Sequence, residues 1–128
     1  MGRISVADDD ADVRDVLSKV LGDEGHTVIE SEDGPSTLEA ILQQRPDLVL
    51  LDIEMPNLDG LEVLAKVRED PFMMATPVII VSVRGRPSDC DRAGELDVTD
   101  YILKPWRDGE IEMRVMFALQ AAVRARKA

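Results

Sequence analysis

Three consecutive aspartates, Asp8, Asp9 and Asp10, and a fourth, Asp52, closing the apolar run Leu48-Val49-Leu50-Leu51, are the residues best suited to chemistry in this chain. An ionised carboxylate beside a buried strand costs free energy unless something binds it. One carboxylate is enough to cap a helix, where it meets free N–H groups and a favourable dipole. Three in a row repel, and a neighbouring Asp52 adds to the charge. A bound cation relieves the conflict. The donors on offer are oxygens, with no His or Cys close by, and such a set selects a hard ion such as Mg²⁺. Two later apolar runs end at Ser82 and Lys104. A lysine at a strand end is ordinarily a surface residue; opposite an acidic metal site it is a point charge for an entering anion. Metal, ammonium and hydroxyl around one carboxylate are what phosphoryl transfer onto Asp52 requires, through charge neutralisation and positioning. A carboxylate serves as nucleophile in such a step and becomes an acyl phosphate.

These residues converge only if the elements between them bring them together. Short Val- and Ile-rich runs at 4–7, 27–29, 48–51, 78–81 and 101–103 read as strands, several of them continuous as in strands covered on both faces. Between them lie helical stripes: Val13, Val16, Leu17, Val20 and Leu21; Leu38, Ile41 and Leu42; Leu61, Leu64 and Val67; and Ile111, Val115, Leu119 and Val123. Ser36 with Glu39, Asp59 with Glu62 and Ser88 with Asp91 have the cap-and-acid spacing of helix starts. The helix over 88–96 is the weakest, with only Cys90, Ala93 and Leu96 as its stripe. Strand and helix alternate five times, which predicts a single doubly wound (βα)5 domain of α/β class with a parallel sheet and helices on both faces. In that architecture the strand ends share one edge, where ligands bind. Asp8 to Asp10, Asp52 with Glu54, Ser82 with Arg84, and Lys104 with Pro105 all fall there.

Composition narrows the partners. At 128 residues with 45% hydrophobic content, the chain is long enough for one core without staples. The net charge of −11 argues against a nucleic-acid surface and suits a cation or a basic partner. Residues 113–128 hold Arg114, Arg124, Arg126 and Lys127 and no acid, as in a terminal helix that complements its dipole or runs on into a linker. Cys90 is alone, which points to a reducing compartment. No run reaches membrane-spanning length, the first residues lack a signal-peptide core, and Val6 stands where a myristoylation signal needs a hydroxyl. A cytoplasmic location with no membrane association is expected.

In order, "SVADDD", "LVLLDIEMPNLDGLEVL", "TPVIIVS" and "DYILKPW" resemble a two-component response-regulator receiver domain of the chemotaxis-regulator-like kind, over essentially the whole chain. The resemblance implies strand order 2-1-3-4-5 and a phosphoacceptor role for Asp52, with a sensor histidine kinase or phosphotransfer protein as donor. It implies Asp9 as direct Mg²⁺ ligand beside Asp52, Asp8 acting through water, and the Glu54 backbone carbonyl completing the set. Ser82 and Lys104 would grip the phosphoryl oxygens, Tyr101 would be the aromatic switch, and the Lys104-Pro105 bond would be cis. The domain is then a signalling switch rather than an enzyme, though it assists its own phosphorylation and dephosphorylation. It would act on a downstream effector or a fused output domain, as a stand-alone receiver or a fragment of a longer regulator. Met113, Met116 and Phe117 widen the apolar face of the last helix, which with the fourth helix and fifth strand would form a homodimer surface.

Two residues depart from the family pattern. Val83 stands where alanine is common and would narrow the path to Asp52; Asp97 replaces a turn glycine, in a left-handed position that Asp tolerates. Glu54 and Arg84 would bridge over the site and shield the acyl phosphate from water. His26 reads as a surface turn residue, Trp106 as packing on the sheet edge, and Phe72, Met73 and Met74 as loop packing. A haloacid-dehalogenase-type phosphatase would want an Asp at position 54, and a flavodoxin-like protein would not place three aspartates against a phosphate. The remaining alternative is a non-phosphorylated, receiver-like interaction module, but such modules typically lose one of the acids, the acceptor or the lysine.

Overall fold

The computed structural model describes residues 2–127. Ten elements alternate: β1 (Arg3–Ala7), α1 (Ala11–Asp23), β2 (Thr27–Ser31), α2 (Gly34–Gln44), β3 (Leu48–Leu51), α3 (Gly60–Glu69), β4 (Val78–Ser82), α4 (Pro87–Glu95), β5 (Asp100–Leu103) and α5 (Glu110–Lys127). All strand pairs are parallel and the sheet order is β2-β1-β3-β4-β5, as expected. The order turns back beside β1 and β3, so Ala7 stands opposite Leu51 and the residues after each emerge side by side.

The continuous apolar runs resolve into two faces, because successive strand side chains point to opposite sides. Val49, Leu51, Val78 and Ile80 pack with Ile41, Val63, Leu64, Val67 and Ala93 under α2, α3 and α4. Leu48, Leu50, Ile79 and Val81 pack with Leu17, Leu21, Ile111 and Val115 under α1 and α5. Both faces of β3 and β4 are therefore buried, and a polar residue ends up at the rim only where the run stops. Trp106 packs against the second cluster as expected, and Met73 is buried while Phe72 and Met74 stay exposed. His26 is half-buried and its Nδ1 accepts from Gly2 N–H at 3.0 Å. Among the described residues no helix is long and apolar enough to cross a membrane.

Helix starts correct the sequence reading twice. The Asp59–Glu62 box forms, each side chain accepting from the other's backbone N–H. For α2 the cap is Asp33, not Ser36: its carboxylate accepts Ser36 N–H at 2.8 Å and the Ser36 hydroxyl at 2.6 Å. Pro35 suits the first turn, where a missing N–H costs nothing, so the helix begins ahead of Ser36. Helix α4 likewise begins at Pro87, and Ser88 lies inside it. Its buried stripe starts from Asp89, 3% exposed, with Cys90 facing solvent. A carboxylate takes that buried place because two arginines neutralise it. In the first stripe, Val16 is half exposed. Asp97 does adopt the left-handed conformation, with φ 55°.

Candidate functional site

The acidic residues meet at the carboxyl edge. Asp8 leaves β1 almost fully buried, 2% exposed, and its N–H donates to Ser31 of β2 at 3.1 Å. Asp10 caps α1, accepting from Asp12 and Val13 N–H, so one of the three aspartates does serve as a cap. Asp52 leaves β3 at 5% exposure; its N–H donates to Ala7 O at 2.9 Å, which ties the two strand ends together. Carboxylate oxygens of Asp8, Asp9 and Asp52 lie within 4.8 Å of one another. Glu54 is exposed in the following loop, and its N–H donates to Asp52 Oδ1 at 3.3 Å.

Lys104 enters from β5. Its Nζ donates to Asp8 Oδ2 at 2.6 Å and to Asp52 Oδ2 at 3.1 Å. The preceding backbone is anchored by Lys104 N–H to Ser82 O at 2.9 Å, and the Lys104-Pro105 bond is cis. Burial raises the Asp8 carboxyl above its ordinary value, against the opposing pull of Lys104 and the Asp10 N–H. Burial pulls Lys104 down, but its hydrogen bonds and charge contacts with Asp8 and Asp52 outweigh it and hold the ammonium above the usual lysine range. One ammonium thus faces two buried carboxylates, so the pocket is already net negative, and Asp9 adds a further negative charge. Oxygen-only donors at this spacing, with negative charge in excess, fit a hard divalent cation.

Ser82 is fully buried, and its Oγ accepts Arg84 N–H at 3.1 Å. Tyr101 is half-buried in β5 and its hydroxyl donates to the Arg84 carbonyl, so the loop after Ser82 is held from both sides. Burial pushes the Tyr101 phenol up to about 12. Arg84 does not bridge to Glu54 as the sequence suggests. Its Nε and Nη2 donate to Asp89 at 3.1 and 3.0 Å, and Arg86 reaches the same carboxylate. Arg84 and then Arg86 hold the Asp89 carboxyl far below the usual range. Asp89 prevails over Glu54 because it is buried, where a charge pair is screened least. Val83 points outward at 65% exposure. Sequence reasoning missed Asp89, and also Arg14, whose Nη1 donates to the Asp8 carbonyl at 2.7 Å; only the acid spacing after "RGRP" and the Asp10–Arg14 interval of one helical turn hint at them.

A parallel five-stranded sheet with an acid pocket and a lysine at its carboxyl edge defines a doubly wound α/β domain with a ligand site at its switch point, and comparison with known proteins makes the class specific. The family model of the response regulator receiver domain matches residues 4–116. The chain belongs to that family: it is a receiver domain of two-component signalling. It is 35% identical over 120 residues to the transcriptional regulatory protein ResD of Bacillus subtilis, covering 94% of this chain and 49% of that protein. It is 26% identical to the BeF3-activated N-terminal receiver domain of Klebsiella pneumoniae RstA, with TM-score 0.84 over 92% of this chain and 98% of that one. A CheY-like receiver protein of Methanospirillum hungatei shares the fold at TM-score 0.93 and 22% identity, with 98% of both chains covered. The chain spans about half the length of the curated relatives it matches.

Proposed function

We propose that this receiver is switched by phosphorylation of Asp52, with a phosphohistidine of a sensor kinase or phosphotransfer protein as donor. The observation that carries this reading is Lys104 bridging Asp8 and Asp52, a cation already at the acceptor carboxylate. Asp8, Asp9, Asp52 and the Glu54 carbonyl would hold Mg²⁺, which when bound neutralises charge on the phosphoryl oxygens. An Asp52 carboxylate oxygen attacks phosphorus, the P–N bond breaks, and its electron pair returns to the imidazole. Lys104 keeps Asp52 in place before transfer and pairs with a phosphoryl oxygen after it. Ser82 already accepts a backbone N–H, so its own hydroxyl proton is free to donate to another.

Phosphorylation biases an existing equilibrium by contacts that differ between its two states. Drawing Ser82 toward the phosphoryl group pulls on Arg84, whose carbonyl holds Tyr101. The surface that responds is α4, β5 and α5, where Leu103, Met113 and Phe117 are about half exposed; it is the proposed homodimer and effector surface. Relatives named as DNA-binding response regulators favour an output domain fused to the receiver in the whole protein. The net charge of −11 supports a receiver that does not itself touch nucleic acid, and the lone Cys90 supports a cytoplasmic setting.

The test is intact mass after incubation with acetyl phosphate, with and without Mg²⁺, beside Asp52→Asn. One added phosphoryl group that needs Mg²⁺ and is lost in the variant is the expected result. No gain from acetyl phosphate, phosphoramidate or a kinase would overturn it in favour of a non-phosphorylated interaction module.

A further inference from the structure

Asp8 and Asp9 both belong to the acid pocket, yet only one is held by its side chain. Asp8 Oδ1 accepts Asp10 N–H at 2.9 Å and Oδ2 accepts Lys104 at 2.6 Å. Asp9 is exposed, and among the described residues its carboxylate has no hydrogen-bond partner. Its placement therefore depends on the peptide unit that precedes it. The carbonyl of that unit, Asp8 O, accepts from Arg14 Nη1 at 2.7 Å. Arg14 is itself fixed: it is 15% exposed, with Nε 3.4 Å from Glu30 and Nη2 3.9 Å from Glu32, at the end of β2 and just beyond it. A guanidinium is planar and rigid, so burial of the side chain together with the ion pair to Glu30 limits the directions in which its Nη1 can point. A charged donor also makes the bond to the carbonyl stronger than a neutral one would be.

We propose that Arg14 is a positioning residue for the divalent-cation site: it fixes the plane of the Asp8–Asp9 peptide and so aims the Asp9 carboxylate into the pocket. This rests on the assignment of Mg²⁺ to that pocket. Glu30 and Glu32 let a cationic side chain take the role by offsetting its charge beside a cation site.

Charge and positioning make opposite demands here, which gives the test its sign. Removing a positive charge near a cation site tightens binding by electrostatics alone. Losing the brace weakens it, since partners that orient a metal ligand are commonly worth tenfold or more in affinity. Calorimetric titration of the 128-residue chain with Mg²⁺ alone, without phosphodonor, compares wild type, Arg14→Met, Arg14→Lys and Lys19→Gln. Arg14→Met keeps the apolar stem; Lys19→Gln removes a charge from an exposed site on the same helix. The expected result is a Kd about tenfold higher for Arg14→Met, a smaller rise for Arg14→Lys, and none for Lys19→Gln. A Kd for Arg14→Met equal to or below wild type overturns the proposal. If thermal melting shows Arg14→Met to be unfolded, Arg14→Lys decides, and a wild-type Kd there overturns the proposal instead. Absence of Mg²⁺ binding by the wild-type chain overturns the metal assignment, a failure distinct from that of the brace.

Discussion

Replacing Gly60 by alanine would place a methyl carbon 2.1 Å from the Asp52 carbonyl oxygen, 2.8 Å from its carbonyl carbon and 2.9 Å from Ile53 Cα. All three are backbone atoms, so no side chain can rotate away. The first turn of α3 is also pinned, by Gly60 N–H to Ile53 O at 2.8 Å and by the Asp59–Glu62 box. Relief must either push α3 outward and break that bond or displace the peptide that carries the phosphoacceptor. Overpacking of this kind costs about 1–3 kcal/mol, and a buried backbone group left unpaired costs about 1–3 kcal/mol more. A loss of about 4 kcal/mol is a large part of a domain stability of about 5–15 kcal/mol. Urea unfolding followed by the single tryptophan, Trp106, which packs on the core, measures it. Gly22 and Gly94 are the internal controls. Both lie within helices and a Cβ there meets nothing within 4 Å, so Gly22→Ala and Gly94→Ala should each stabilise by about 0.5–1 kcal/mol. If Gly60→Ala unfolds within about 0.5 kcal/mol of wild type, the close backbone approach is not what positions Asp52.

Asp89→Ala removes the buried acceptor shared by Arg84 and Arg86, and because both arginines can then turn to water it should destabilise the fold by about 1–2 kcal/mol. Because its folded pKa is depressed below the ordinary 3.8, the Asp89 contribution is complete above that pH and is lost as the pH falls through the folded value. Wild type and variant should therefore converge in strong acid; a constant difference down to low pH would count against the clamp. Tyr101 is the only tyrosine, so ultraviolet absorbance of its phenolate reports it directly. It should titrate near 12 in the folded chain, and since an unfolded tyrosine ionises near 10.0, stability should fall as the pH rises from the lower value through the higher. Titration at the ordinary value would remove the buried hydroxyl contact with Arg84. Val83→Ala should speed phosphorylation by acetyl phosphate and leave kinase-driven transfer less affected; equal rates with the small donor would show that the exposed Val83 side chain does not obstruct Asp52.

Local signals in the sequence were sufficient for the five strands, because β3 and β4 are apolar on both faces and leave no competing period to read. Helix α3 was equally legible, since its cap and acid lie three residues apart and meet within one turn. The starts of α2 and α4 were not. At Asp33 a carboxylate lies three residues ahead of Ser36 and is the stronger acceptor, while at α4 the buried position is filled by a charged residue that no apolar stripe announces. Asp8, Asp52, Ser82 and Lys104 could be placed at one edge because parallel strands align their ends, whichever side chains they carry.

The sequence by itself thus determined which chemical groups stand at the carboxyl edge: pattern and punctuation are short-range properties, and in a parallel sheet they suffice to gather the strand ends. Which of those groups touch was settled by tertiary structure alone. Lys104 meets Asp8 across 96 positions of chain, Arg14 reaches back to a backbone carbonyl, and Arg84 turns to Asp89 and not to Glu54. Each is a choice among several oppositely charged or polar partners within a side chain's reach. Burial and packing make that choice, because a charge pair gains most where water is excluded and where its neighbours leave it one direction to point.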